Sequence, residues 1–193
     1  MSIQVQPTDA LLVVDVQNDF CPGGALAVTE GDAIVPVINQ LVDKFCVRAF
    51  TRDWHPADHC SFAVAPQFLD GSWPTHCVRD TAGAAFHPGL AVPENAVVVS
   101  KATERERDAY SGFDGTNLED QLHEVDVQRV FVLGLATDYC VKATALDALA
   151  AGFDTYVLSD ACRAVDNPPG TGAAALLEME NAGVVCINSV DVS

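Results

Sequence analysis

The sequence predicts an α/β protein with a parallel sheet covered by helices on both faces. Three observations carry this. Short β-branched runs alternate with amphipathic helical patterns along the chain. Those runs are continuously apolar, as strands buried on both faces are. The 193 residues, 49% of them hydrophobic, also suffice for one sizeable core, so a single domain over residues 1–193 is expected.

The strands fall at residues 10–14, 46–51, 96–100, 130–135, 155–158 and 183–187. Between the first two, residues 32–45 place Ile34, Val35, Ile38, Leu41 and Val42 on one helical face. A shorter helix is expected at 118–125. The Ala-rich run 139–151 presents Val141, Ala145, Leu146 and Leu149. Residues 172–181 carry Leu176, Leu177 and Met179, with Gly183 as a C-terminal stop. Residues 53–95 break the rhythm. A structureless stretch of about 40 residues is uncommon in a compact domain and is usually functional. This one holds four of the five histidines: His55, His59, His76 and His87. The fifth, His123, reads as a surface residue.

Composition excludes several functions. With 27 acidic against 10 basic residues the net charge is −17, which disfavours nucleic-acid and anionic-membrane partners. No apolar run approaches the ~20 residues of a membrane span. The N-terminus has no basic leader, and Asp15 interrupts its first apolar run. Seven cysteines lie scattered without a Cys-x-x-Cys pair. Together these features predict a cytoplasmic protein with reduced thiols.

In a parallel sheet the carboxyl ends of the strands share one edge, where ligands bind. Asp15, Asp53, Lys101 and Cys140 each follow a predicted strand, so they should converge. Cys140 is the candidate nucleophile. It is expected in the first turn of a helix opening near Thr137 or Asp138, where free N–H groups favour a thiolate. Asp15 can take its proton and pass it to a leaving amine, and Lys101 can hold both charges. Cys162, after the fifth strand, competes for this edge but has no helix start beside it and reads as structural. Asp53-x-His55 offers two metal ligands, and His76 a third, with His59 as rival. Two His and one carboxylate suit a divalent ion, Zn²⁺ first, with Fe²⁺ or Mn²⁺ as alternatives. His87 reads as structural.

These segments resemble the nicotinamidase branch of the isochorismatase-like cysteine hydrolases. The likeness runs through VVDVQNDFCPGGALAV (13–28), TRDWHPADHCSFA (51–63), WPTHCVRDTAGAAFHPGL (73–90), KATERERDAYSGFDGT (101–116) and GLATDYCVKATALDA (134–148). It implies a three-layer α/β/α fold with a six-stranded parallel sheet, a catalytic triad of Asp15, Lys101 and Cys140, and a metal held by Asp53, His55 and His76. It also implies that the metal meets a pyridine nitrogen, that Phe20, Trp73 and Tyr110 line the pocket, and that Leu135–Ala136 is a cis peptide. The N–H groups of Ala136 and Cys140 would then form an oxyanion hole. The implied reaction is hydrolysis of nicotinamide, and of pyrazinamide, to the acid and ammonia in NAD salvage.

Two other readings compete. Relatives acting on isochorismate or N-carbamoyl compounds generally lack the Asp-x-His and distant His set, so Asp53, His55 and His76 discriminate. A catalytically dead metal-binding scaffold is opposed by the intact Asp15, Lys101 and Cys140. Metal identity, substrate breadth and assembly as a homo-oligomer stay open at this point.

Overall fold

The structure is a computed structural model that describes residues 2–68 and 71–193. Six strands form one sheet: β1 (Asp9–Val14), β2 (Val47–Asp53), β3 (Val97–Lys101), β4 (Arg129–Leu135), β5 (Asp154–Arg163) and β6 (Val185–Ile187). Their order is β3-β2-β1-β4-β5-β6 and every pairing is parallel. The most apolar runs take the centre. All six residues of β1 are buried, as are six of the seven in β4.

The helices are α1 (Val35–Val42), α2 (Leu118–Glu124), α3 (Lys142–Ala150) and α4 (Thr171–Ala182). Right-handed crossovers place α1 on one face, because β1, β2 and β3 step one way. They place α2, α3 and α4 on the other, because β3, β4, β5 and β6 step back. The long segment after β2 completes the α1 face: Asn39 Nδ2 donates to the Gly89 carbonyl at 2.8 Å, and the Ala91 N–H donates to Asn39 Oδ1 at 2.8 Å. The result is the expected three-layer arrangement. The order reverses between β1 and β4, so a crevice opens at their carboxyl ends.

Several boundaries differ from expectation. The helix expected at 32–45 opens with a 3₁₀ turn, Gly31–Ile34, and becomes α-helical only with Pro36 in its first turn. Proline fits there because first-turn N–H groups need no intrahelical partner. The helix expected at 139–151 is divided: Thr137–Val141 forms a π-helical turn, and α3 follows. The fifth strand runs on to Arg163, so Cys162 lies inside it, with its thiol donating to the Leu158 carbonyl at 3.3 Å. The last strand is shorter than expected, because Gly183 (φ 115°) closes α4. The region 53–95 beyond the end of β2 is tied by isolated bridges, His55 to Val78, Phe62 to Trp73 and Gln17 to Phe86. All seven cysteines are free. Among the described residues no helix is long and apolar enough to cross a membrane.

The end of β4 is tightly constrained. Gly134 adopts φ 125°, and a Cβ there would sit 2.1 Å from the Val14 carbonyl oxygen. The β4–β5 register shifts between Val132 and Gly134, and the Leu135–Ala136 peptide that follows is cis. Gly134→Ala should therefore destabilise the fold by more than about 2 kcal/mol, from backbone strain and from overlap with β1. Urea unfolding checks this: a midpoint equal to that of the unmodified chain would contradict the close approach.

Candidate active site

The strand ends bring the predicted groups together. Asp53 and Lys101 are register partners at the ends of β2 and β3, so their side chains share a face. Asp15 follows β1 in a left-handed conformation (φ 48°) and donates its N–H to the Thr51 carbonyl at 3.2 Å. Cys140 sits in the π-helical turn after β4.

Lys101 is the hub. Its side chain is fully buried, 3.0 Å from Asp15 Oδ2 and paired with Asp53 Oδ1. It also donates to the Ala109 carbonyl at 3.2 Å and to Cys140 Sγ at 3.4 Å. Thr51 Oγ1 donates to the other Asp15 oxygen at 2.6 Å. Gln17 clamps the Asp53 backbone, accepting its N–H and donating to its carbonyl, both at 2.8 Å.

These contacts set the charges. Burial opposes the Lys101 charge, but Asp15 and then Asp53 outweigh it and hold the ammonium. Burial alone would raise Asp53; Lys101 reverses this and keeps it a carboxylate. Burial raises the Asp15 carboxyl against the pull of Lys101. Burial also pushes the Cys140 thiol well up. Lys101 opposes that push, whereas Asp15 and Asp53 add to it. The helix start was expected to favour a thiolate, and here burial and the two carboxylates outweigh it. One ammonium facing two carboxylates already carries net negative charge, and a thiolate would add more. The short π turn does not offset this, so the resting group is the thiol.

The metal triad also assembles. One ligand atom from each of Asp53, His55 and His76 lies within 4.8 Å of the others, and all three residues are buried. His55 Nδ1 faces the Ala102 carbonyl at 3.2 Å, and His76 Nδ1 faces the Pro74 carbonyl at 2.8 Å. Each Nδ1 must therefore carry the proton, which leaves Nε2 as a lone pair. His55 Nε2 is buried without a hydrogen-bond partner, 3.6 Å from Asp53 Oδ2, and His76 Nε2 lies 3.9 Å from the same oxygen. Burial lowers the His76 pKa, which keeps the ring neutral. An orphaned imidazole nitrogen, a second neutral imidazole and a carboxylate oxygen fit a divalent ion. His59 does not belong to the set: its nitrogens face Ser61 Oγ at 2.8 Å and the Arg107 carbonyl at 3.1 Å. His87 and His123 lie elsewhere, His87 accepting the Gly89 N–H and His123 stacked on Phe153.

A narrow cleft opens over Cys140 and the Asp53–His55–His76 cluster. Phe20, Trp73 and Tyr110 line it as expected, and so does Ala136. Trp73 Nε1 donates to the Tyr110 hydroxyl at 3.0 Å. Asp15 and Lys101 lie behind Cys140, outside the lining. Sequence reasoning missed Leu26, Tyr139 and Val165 in the wall. Tyr139 was the most accessible of these, being the neighbour of Cys140; its ring meets Trp73 edge-on at 4.9 Å. Gln17 was missed as well, although it stands two residues after Asp15.

Comparison with known proteins identifies the family. The isochorismatase domain family matches residues 9–191. The nicotinamidase of Escherichia coli is 43% identical over 206 aligned positions, covering 96% of this chain and 97% of that one. The crystal structure of the pyrazinamidase of Pyrococcus horikoshii in complex with zinc superposes with a TM-score of 0.86 at 47% identity, covering 94% of this chain and 99% of the other. An L. infantum protein crystallised with nicotinate gives a TM-score of 0.91 at 38% identity, covering 100% and 99% of the two chains.

The donor set makes a direct prediction. Stripped of metal and dialysed against a divalent transition ion, the chain should retain one equivalent by elemental analysis. His55→Ala and His76→Ala should each weaken retention at least about tenfold, as loss of a ligand should cost no less than loss of its outer-shell partner. His59→Ala should leave retention unchanged. Equal losses in all three variants would contradict the assignment.

Proposed function

The chain belongs to the isochorismatase-domain family, and from that premise we propose that it is a nicotinamidase, a metal-containing cysteine amidohydrolase. Its substrates on this reading are nicotinamide and pyrazinamide, and the work belongs to NAD salvage in the cytoplasm. One domain spanning residues 1–193 carries the whole activity. The observation that carries the reading is the adjacency of a buried Asp15–Lys101–Cys140 cluster to an Asp53–His55–His76 site at one aromatic-walled cleft.

When bound, the ion supplies a Lewis-acid attachment point for a ring nitrogen, and Zn²⁺ is the ion we assign. The chain's own residues do the rest. Phe20, Trp73 and Tyr110 enclose the ring and exclude water. Cys140 gives its proton to Asp15, a carboxylate oxygen of which lies within 4.8 Å of Sγ, and Sγ bonds to the carboxamide carbon. The N–H groups of Ala136 and Cys140 receive the oxygen that becomes negative. Asp15 then protonates the amine, the C–N bond breaks and ammonia leaves. Water transfers a proton to Asp15 and attacks the thioester. The C–S bond breaks, and the proton returns to sulfur. Nicotinamide and water become nicotinic acid and ammonia, which exchange a proton in solution to nicotinate and ammonium, with the cluster restored. Burial suits Asp15 to both roles, because the raised carboxyl can hold a proton during turnover.

Ammonia release from nicotinamide, pyrazinamide, isochorismate and N-carbamoylsarcosine tests the substrate. The first two should be turned over and the others not. Benzamide, lacking the ring nitrogen, should be poor. Cys140→Ala should abolish release while folding normally, and Cys162→Ala should retain most of it. Activity with the opposite pattern would overturn the nucleophile assignment.

The pH dependence follows from the shifts. A thiol raised above its ordinary range is protonated at neutral pH, so iodoacetamide should alkylate Cys140 slowly there and faster as pH rises. Lys101→Ala removes the cation that pulls this thiol down, so its alkylation profile should move further to alkaline pH. An unchanged profile would remove the support for Lys101.

A further inference from the structure

Asp138 is buried two residues before the nucleophile, yet the reaction does not use it. Its carboxylate is fully engaged elsewhere. Oδ1 accepts the Val165 N–H at 2.9 Å; Oδ2 accepts the Asp166 N–H at 2.9 Å and the Thr171 hydroxyl at 2.7 Å. All three donors belong to the stretch that leaves β5 and enters α4. That stretch is closed on itself by Asp166, whose Oδ1 accepts the N–H groups of Gly170 at 2.8 Å and Gly172 at 3.1 Å. Val165, the residue gripped by Asp138 Oδ1, lines the substrate cleft.

We propose that Asp138 is a positioning residue that sets the ring-size selectivity of the cleft by fixing Val165 relative to Cys140. The argument is geometric. Asp138 and Cys140 share one π-helical turn, so a single carboxylate ties the apolar wall to the turn that carries the nucleophile. A carboxylate suits this job because three donors converge on it and it has only acceptors to offer. Asparagine has the same shape, but it would present an N–H to at least one of those donors and force the wall away. The proposal rests on the pyridine-carboxamide reading above.

The test compares nicotinamide with 5-methylnicotinamide, following ammonia release by the metal-loaded enzyme. Asp138→Asn should raise KM for nicotinamide about tenfold and lower kcat less than threefold, the pattern of lost ground-state positioning. Its preference for nicotinamide over the methylated ring should fall about tenfold, the scale of one methyl group in an apolar pocket. Val165→Ala should relax the preference similarly, and the double variant should go no further than the larger single change. Thr171→Val removes one donor and should move the same way by less. If Asp138→Asn does not fold, Thr171→Val and Val165→Ala decide the matter. A uniform fall in kcat with KM and preference unchanged would overturn the proposal, as would independent effects that multiply in the double variant. If the unmodified enzyme releases ammonia from neither substrate, the functional reading itself fails. Amide hydrogen exchange at Val165 and Asp166 then judges the clamp: faster exchange in Asp138→Asn supports it, and unchanged exchange overturns it.

Discussion

The Lys101 ammonium is buried between the carboxylates of Asp15 and Asp53, and each of the three is tolerable in the interior only because the others are there. Moving a lone ion of this kind from water into protein costs several kcal/mol even after relaxation. The cluster therefore dictates where three strands may end. β1 must stop at Asp15, β2 must deliver Asp53 and β3 must deliver Lys101 at the same height. The β2–β3 register meets this demand by pairing the last two residues directly. The Gln17 clamp on the Asp53 backbone and the Thr51 hydroxyl on Asp15 hold the two carboxylates at fixed angles to the ammonium.

Asp53 divides its two oxygens between the neighbouring sites. Oδ1 meets Lys101, while Oδ2 faces the free nitrogens of His55 and His76. On the function proposed above, bond cleavage and ring orientation are separate tasks joined by one carboxylate. This arrangement also accounts for the resting thiol. Burial raises the Cys140 thiol, and Asp15 and Asp53 add to that push, so Cys140 holds its proton. A buried, protonated thiol is also a poor target for stray oxidants and alkylating agents.

Much of this was legible in the residues. Apolar β-branched runs announced all six strands, and the reactive residues after the first four announced the site, because parallel strands place their carboxyl ends on one edge. The histidine-rich stretch after β2 announced the candidate metal ligands, although only the structure separates His76 from His59, through the carbonyl and hydroxyl that occupy both His59 nitrogens. Three features were hidden. The extension of β5 to Arg163 depends on pairing beyond a register shift, which local pattern does not encode. The π turn at Thr137–Val141 reads as ordinary helix, since both periods keep similar residues on one face. The protonation of Cys140 depends on charges brought from β1 and β2, far away in sequence. Val165 escaped for a related reason: nothing in its own neighbourhood marks an apolar residue after a strand as part of a binding wall.

The sheet order divides labour across the molecule. Every reactive group comes from β1 through β4 and the connections between and just after them, whereas the chain from β5 onward contributes one lining residue, Val165, in the connection from β5 to α4. Bond-breaking chemistry and pocket shape are therefore written in different stretches of chain. Changes after residue 153 can reshape what fits without disturbing how the amide is cleaved, so long as the carboxylate of Asp138 still has donors to hold. An architecture of this kind can keep one reaction and explore many substrates, because variation from β5 onward leaves the ammonium and its two carboxylates untouched.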